Sequence, residues 1–325
     1  MAETLPPGRP ISLADIRAAR ERIAGTIVRT PLVRLELGPD YPDIRLKLEN
    51  LQPINAYKLR GAANAVALLP ESARQCGVWT ISAGNAGQGV AYAARSAGVP
   101  CTVVAIETAP LSKLERMRAL GARVIPVPHE VAWQALEDRA YPGVEGSFIH
   151  PFDDHDFIAG HGTMALEILE DAPDTIAVIA AIGGGGLITG VASGIRALRP
   201  EIAVWGAEPE TAAPAALSFR HGEARAFPDW KASFVDGAGG RSVFPRMWRR
   251  MQPLVAGSIV VTLAETRRAM RLLADKARVI SEGAGALSVA AALTGKAGRG
   301  PIVAIISGGN IDLEKFSALI AEAAG

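Results

Sequence analysis

The stretch AVIAAIGGGGLITGVASGIRALRP, residues 177–200, runs from an apolar, strand-like segment through four consecutive glycines, Gly183, Gly184, Gly185 and Gly186, into a segment with helical apolar spacing. Strand, glycine turn and helix in that order is the unit of a parallel α/β sheet, and bare backbone N–H groups at a positive helix end can surround an anion there. One or two glycines suffice for a tight strand-to-helix turn, so four in a row predict a bound phosphate. No Lys-Ser or Lys-Thr follows at the spacing of a nucleoside-triphosphate loop, which excludes that class. Two owners remain at this point. A dinucleotide could use Gly184, Gly186 and Gly190 as GxGxxxG, with Glu208 at the end of the next strand as the ribose-binding acid; a smaller phosphate ester needs only the amides.

Outward from that turn the chain keeps the same rhythm. Short β-rich runs recur at 44–49, 77–82, 101–106, 122–127, 203–208 and 301–307, separated by segments such as GQGVAYAARSAG, LSKLERMRALGA and ETRRAMRLLADKA with apolar residues near a 3.6-residue period. This alternation predicts an α/β fold of open, twisted parallel sheets with helices on both faces. At 325 residues the chain is long for a single core, which points to two lobes. Three strands end in glycine- or serine-rich turns, at 82–89, 183–186 and 307–310. Ligands of open parallel sheets sit beyond the carboxyl ends of the strands, so three such turns predict one shared site.

Composition narrows the partners. The 34 basic and 33 acidic side chains nearly cancel, and no long basic run carries interleaved aromatics, which excludes a nucleic-acid groove. Apolar runs break before the length a membrane span needs, and the start MAETLPPGRP lacks the charged and apolar halves of a secretory leader; a cytoplasmic protein with no membrane partner is expected. Cys76 and Cys101 are too few for a disulfide framework and form no CxxC, so two reduced, packed thiols are expected. The five histidines show no metal-ligand spacing and no GxSxG elbow is present, which argues against zinc and serine-hydrolase chemistry.

The segment KLENLQPINAYKLRGAANAV, residues 47–66, sets Lys58 behind a Pro-Ile-Asn turn at the start of an alanine-rich helical run. A helix N-terminus disfavours an ammonium and so favours the neutral amine that a Schiff base requires. Here the chain resembles the fold-type II pyridoxal-phosphate enzymes. Ala-Tyr-Lys-Leu-Arg-Gly-Ala around Lys58 resembles their lysine motif, SAGNAGQGVA (82–91) their asparagine loop, the glycines at 183–186 their phosphate cup and SGGNID (307–312) their cofactor-ring segment. RTPLVRL (29–35) and GTMALEI (162–168) extend the likeness to most of the chain, which is most similar to the threonine/serine dehydratase and serine racemase group.

The resemblance implies a tryptophan synthase β-like architecture, with a large cofactor-binding lobe from residues 1–53 and 150–325 and a small mobile lobe from 54–149. It implies pyridoxal 5'-phosphate as the cofactor, with Lys58 as the residue that holds it as a Schiff base and moves the substrate's α-proton. Asn85 would hydrogen-bond the phenolic oxygen, the amides of Gly183, Gly184, Gly185, Gly186 and Leu187 would hold the phosphate, and Ser307 would face the pyridine nitrogen. A neutral hydroxyl at that nitrogen keeps electron withdrawal moderate and suits β-elimination. Ser82, Ala83, Gly84, Asn85, Ala86 and Gly87 would bind the substrate carboxylate, with Glu282 near the ring and His161 as a hydrogen-bonded packing residue beside the site. The implied activity is a carbon–oxygen lyase of the ammonia-lyase type, converting a β-hydroxy amino acid to a 2-oxo acid and ammonia. A racemase or β-replacement synthase is the same-fold alternative, and a nicotinamide-dependent oxidoreductase the alternative from another class. A homodimer, and no appended regulatory region after SGGNID, belong to the same expectation.

Four departures from the family pattern shape the expected specificity. Ala83 stands where racemases of the group carry a serine as the opposite-face acid/base, so elimination with little racemisation is expected. Ala86 replaces a common histidine and could open room for a bulkier β-substituent, as in phenylserine. Arg241, in VDGAGGRSV (235–243), could grip a second acid group, as in 3-hydroxyaspartate. Some relatives bind a divalent cation through a glutamate, a carbonyl and an aspartate; here those places hold Glu208, Ala212 and Pro214, and no metal is expected.

Overall fold

A computed structural model describes residues 8–322; residues 1–7, which the reading of the chain's start includes, lie outside them. The strands β1 (Leu32–Leu35), β2 (Ile44–Lys47), β3 (Val78–Ile81), β4 (Cys101–Ile106), β5 (Arg123–Val127), β6 (Ser147–Phe148), β7 (Ala177–Ala181), β8 (Ala203–Pro209), β9 (Gly257–Val261) and β10 (Ile302–Ile305) form two sheets. The larger sheet has the order β1-β2-β10-β7-β8-β9 and the smaller β5-β4-β3-β6. Every pairing is parallel except β1 with β2, which is antiparallel at the sheet's edge.

Between the strands run α1 (Leu13–Ile23), α2 (Lys58–Ala67), α3 (Glu71–Cys76), α4 (Asn85–Ala97), α5 (Leu111–Ala119), α6 (His129–Asp138), α7 (His155–Asp171), α8 (Gly186–Leu198), α9 (Pro214–His221), α10 (Pro245–Met251), α11 (Leu263–Ala277), α12 (Gly283–Leu293) and α13 (Leu313–Ala321). The central strand β7 shows why both faces are covered. All five of its residues are buried, Ala177, Ile179 and Ala181 packing with α11, α12 and α13 and Val178 and Ala180 with α7, α8 and α10. In the small sheet Val78, Val103 and Ala105 face α2, α4 and α5, while Trp79, Ile81 and Val104 face α6.

The segment after β6 carries the chain from the small sheet back to the large one, so the carboxyl ends of β3, β7 and β10 are brought to a common region. One expectation changes here. Cys101 is buried, but Cys76, the last residue of α3, is exposed and is not a packed thiol. No helix among the described residues is long and apolar enough to cross a membrane.

Candidate active site

The lysine and SGGNID segments meet through the backbone. Ala56 forms an antiparallel bridge with Gly308, the Tyr57 N–H donates to the Ser307 carbonyl at 3.0 Å, and the Gly309 N–H donates to the Asn55 carbonyl at 2.9 Å. Asn55 turns the chain into this bridge at φ 56°, a left-handed conformation that asparagine tolerates. Lys58 thereby begins α2 beside the strand end that carries Ser307. Helix α4, which starts at Asn85, packs so closely on it that a Cβ at Gly89 would lie 3.2 Å from the Lys58 carbonyl.

The glycine turn arrives from β7. Gly185 caps α8 at φ 87°, a conformation that costs a residue with a Cβ. Gly184 and Gly186 lie under Phe152: a Cβ at 184 would stand 2.2 Å from its ring and one at 186 2.8 Å from its carbonyl oxygen. Close packing of the chain on itself therefore demands these glycines, in addition to any ligand. Helix α8 has no side-chain cap although Gly186, Leu187 and Ile188 are buried. Their N–H groups have no partner within the helix, and a buried, uncapped helix end is a place for an anion.

Phe152 belongs to the same turn that receives the lysine. Lys58 Nζ donates to the Pro151 carbonyl at 2.5 Å, with the Tyr57 and Phe157 ring centres 5.2 and 5.4 Å away. His150 Nδ1 fixes this turn by accepting from the Phe152 and Asp153 N–H groups at 3.3 and 2.9 Å. Burial, more than the helix end invoked from sequence, pushes the Lys58 pKa down to about 7.

Opposite the lysine, Asn85 Nδ2 donates to Glu282 Oε1 at 2.7 Å and its Oδ1 accepts from Asn310 Nδ2 at 2.7 Å. Glu282 is buried at the start of α12, and burial, with Asp236 acting the same way, pushes its carboxyl pKa up to about 7. The residues at hand are an amine with a lowered pKa, an uncapped helix end, an amide donor and the hydroxyl-bearing Ser307, 4% exposed. A family model for pyridoxal-phosphate dependent enzymes matches residues 23–308, which include all of them.

The chain belongs to the pyridoxal-phosphate dependent enzyme family. An L-threonine ammonia-lyase of Thermotoga maritima is 39% identical over 316 residues, 95% of this chain and 78% of that protein. The catabolic L-threonine dehydratase TdcB of Staphylococcus aureus is 35% identical, covering 98% of this chain and 94% of that one. Maize serine racemase superposes with a TM-score of 0.87 at 30% identity, over 97% of this chain and 98% of that one. The architecture is that of the fold-type II pyridoxal-phosphate enzymes.

Several sequence-predicted residues serve this pyridoxal-phosphate enzyme differently from expectation. Glu208 faces neither a ribose nor a cation: Oε1 accepts from the Ala215 N–H at 2.9 Å, and Oε2 from the Ala216 N–H at 2.8 Å and the Ser258 hydroxyl at 2.7 Å, so it caps α9. Gly190, the last glycine of the dinucleotide-like pattern, marks where α7 crosses α8, since a Cβ there would meet the Ile158 carbonyl at 2.4 Å. Both features remove support from the oxidoreductase alternative. Ala86 is buried in the apolar core of the small sheet, which removes the reason to read extra substrate volume there. Arg241 is exposed and stacks on Trp230, its guanidinium carbon 4.3 Å from the ring centre, and is therefore engaged away from the glycine turn. His161 is fully buried against Tyr57 and Phe157, yet neither ring nitrogen has a hydrogen-bond partner among the described residues, contrary to the expected bonded histidine. Burial, with the Lys58 and Arg60 charges acting the same way, holds it neutral. In the loop 82–87, the Ser82 hydroxyl accepts from the Gly84 N–H at 3.1 Å, and Ala83 and Gly84 are half-buried.

Sequence reasoning passed over Arg60. It is fully buried two residues after the lysine and forms paired bonds with Glu49, both at 2.8 Å, and with Glu167, at 2.7 and 2.8 Å. Lys47 Nζ completes a neutral quartet at 2.5 Å from Glu167. Burial works against the Glu49 carboxylate, but Arg60 holds it below the ordinary carboxylate range. The available signal was the placing of Lys47, Glu49 and Glu167 inside otherwise apolar segments.

Proposed function

We propose that the chain removes water from a β-hydroxy α-amino acid and releases the 2-oxo acid and ammonia. The observation that carries this reading is the amine of Lys58, its pKa lowered by burial to about 7 and set beside Ser307, across from a loop in which Ala83 offers no hydroxyl. When bound, the cofactor supplies an electron sink for the α-carbanion. Lys58 takes the proton from the substrate Cα as general base. The loop 82–87 would hold the substrate carboxylate, Asn85 would donate to the cofactor's phenolic oxygen, Ser307 would lie at its ring nitrogen, and the amides at 183–187 would hold its phosphate. The Ala83 methyl group cannot deliver a proton to the opposite face, so elimination outruns racemisation. The names of the relatives, an ammonia-lyase and a dehydratase acting on L-threonine, support the lyase reading.

For the side chain, we infer a threonine- or serine-like substrate: the relatives' names specify L-threonine, and the cavity of about 80 Å³ beside Gly183, Gly184 and Gly185 adjoins the phosphate turn, so it lends no support to a larger β-substituent. No support attaches to an acidic substituent either, because Arg241 is engaged on Trp230. Release of 2-oxo acid is measured from threonine, its β-ethyl homologue, phenylserine and 3-hydroxyaspartate. The expected order places threonine above the larger substrates and 3-hydroxyaspartate last, with Arg241→Ala unchanged. Preference for 3-hydroxyaspartate refutes the side-chain reading, and racemisation of L-serine as fast as elimination refutes the reaction. A cytoplasmic homodimer remains the proposed setting; the exposed Val28, Leu51 and Ile280 support self-association, and a monomer mass by light scattering contradicts it.

A further inference from the structure

We infer that Arg116, an exposed residue of α5 outside every motif of the site, is a positioning residue for Asn85: acting through Asn310, it decides which end of the Asn85 amide faces the cofactor. The inference rests on the reading that Asn85 meets the phenolic oxygen.

A guanidinium only donates hydrogen bonds, and a backbone carbonyl only accepts them. Arg116 Nη1 donates to Asn310 Oδ1 at 2.7 Å, and Asn310 Nδ2 donates to the Ile54 carbonyl at 2.8 Å. These two neighbours fix the Asn310 amide, oxygen towards Arg116 and nitrogen towards Ile54, whichever way an isolated amide might turn. The second N–H of Asn310 then points at Asn85, 2.7 Å away, so the Asn85 atom there must be its oxygen. Asn85 Nδ2 is thereby turned towards the Glu282 carboxyl, and one of its N–H bonds is left without a partner among the described residues. A flipped Asn85 would set N–H against N–H at Asn310 and, where Glu282 is ionised, oxygen against oxygen there. An N–H donor stabilises a phenolic oxygen that carries negative charge, whereas an amide oxygen repels it.

Helix α5 makes two other contacts with the large sheet's loops, Ser112 with Asp312 at 3.2 Å and Lys113 with Asp236 at 2.7 Å. Neither ends on the Asn310–Asn85 relay. That difference separates orientation of the amide from simple docking of α5.

The test uses reconstituted holoenzyme and follows its visible absorption from pH 6 to 10 together with the dissociation constant of the cofactor. Arg116→Met and Asn310→Asp are expected to diminish the absorption of the ionised phenolic form and to weaken cofactor binding about fivefold, the worth of one hydrogen bond. Arg116→Lys, which restores a donor, is expected to recover most of the spectrum, and Ser112→Ala, which removes the uncharged α5 contact with Asp312, to leave it unchanged. Wild-type spectra for both Arg116→Met and Asn310→Asp, alongside a shifted Asn85→Ala, overturn the inference and leave the role of Asn85 intact. An equal shift in Ser112→Ala also overturns it, in favour of docking. An unshifted Asn85→Ala refutes the underlying role of Asn85, and the inference falls with it.

Discussion

Stripped of cofactor, Lys58 is expected to titrate near neutrality, and this can be worked through to a number. Burial lowers its pKa from 10.5 to about 7. At about 1.4 kcal/mol per pH unit this is about 4–5 kcal/mol against the ammonium, and the neutral fraction at pH 7 rises from about one in three thousand to about one half. The perturbation is pH itself, stepped from 5 to 10 on the cofactor-free chain. Brief acetylation followed by mass spectrometry reads the labelling of the Lys58 peptide at each pH as a fraction of its own high-pH plateau, corrected for reagent hydrolysis, so that only the protonation state is compared. The expected midpoint lies near 7, and reductive trapping of a pyridoxal aldehyde on Lys58 should rise with the same midpoint. A midpoint above about 9 would mean that water reaches the amine past Tyr57, Phe157 and Pro151, and would refute desolvation as the device that readies it.

Gly184→Ala is expected to lose cofactor binding and to cut activity at least about a hundredfold, about 2.7 kcal/mol or more, because its Cβ would lie 2.2 Å from the Phe152 ring; Phe152→Ala in the same chain should restore part of the binding, measured by fluorescence titration. Arg60→Met leaves Glu49 buried without its guanidinium and Glu167 with Lys47 alone, and is expected to cost about 3–5 kcal/mol in urea unfolding; a loss below about 1 kcal/mol contradicts the quartet's role. Glu282 has its folded pKa raised from 4.5 to about 7, so its contribution to stability is full below about 4.5 and is lost as pH rises through about 7. Glu282→Gln should therefore flatten the decline in melting temperature between pH 5 and 8 relative to the parent, and identical pH profiles contradict the raised pKa.

The residues that were legible in the sequence are those whose chemistry demands one residue type within a local pattern. Lys58 behind its turn, Asn85 at the head of α4 and the glycines before α8 all depend on neighbours a few positions away. The strands that were legible are mostly the buried, apolar ones, such as β3, β4 and β7. The strands β1, β6 and β9 were not: β6 has two residues, β1 is an antiparallel edge with Arg34 exposed, and β9 is an edge with Val260 exposed. What stayed hidden depends on distant partners. Arg60 gains its meaning from Glu167, Asn85 from Glu282, and Pro151 from Lys58, each a contact between remote parts of the chain. Arg241 misled for the same reason, since Trp230 occupies it from outside the VDGAGGRSV segment.

Helix α2 sits in both halves of the molecule at once. Its apolar residues Leu59, Ala62, Ala63 and Val66 belong to the small sheet's core, whereas its one buried charge, Arg60, is clamped to Glu49 and Glu167 beside the large sheet. The helix that presents Lys58 is thus an axle, and a lobe boundary drawn at residue 54 passes through a joint. Asn85, at the head of a small-sheet helix, is itself tied to Glu282 and Asn310 of the large half. Any shift between the sheets would have to break that tie as well as turn the axle, so the two side chains are spanned by the same crossing of the halves.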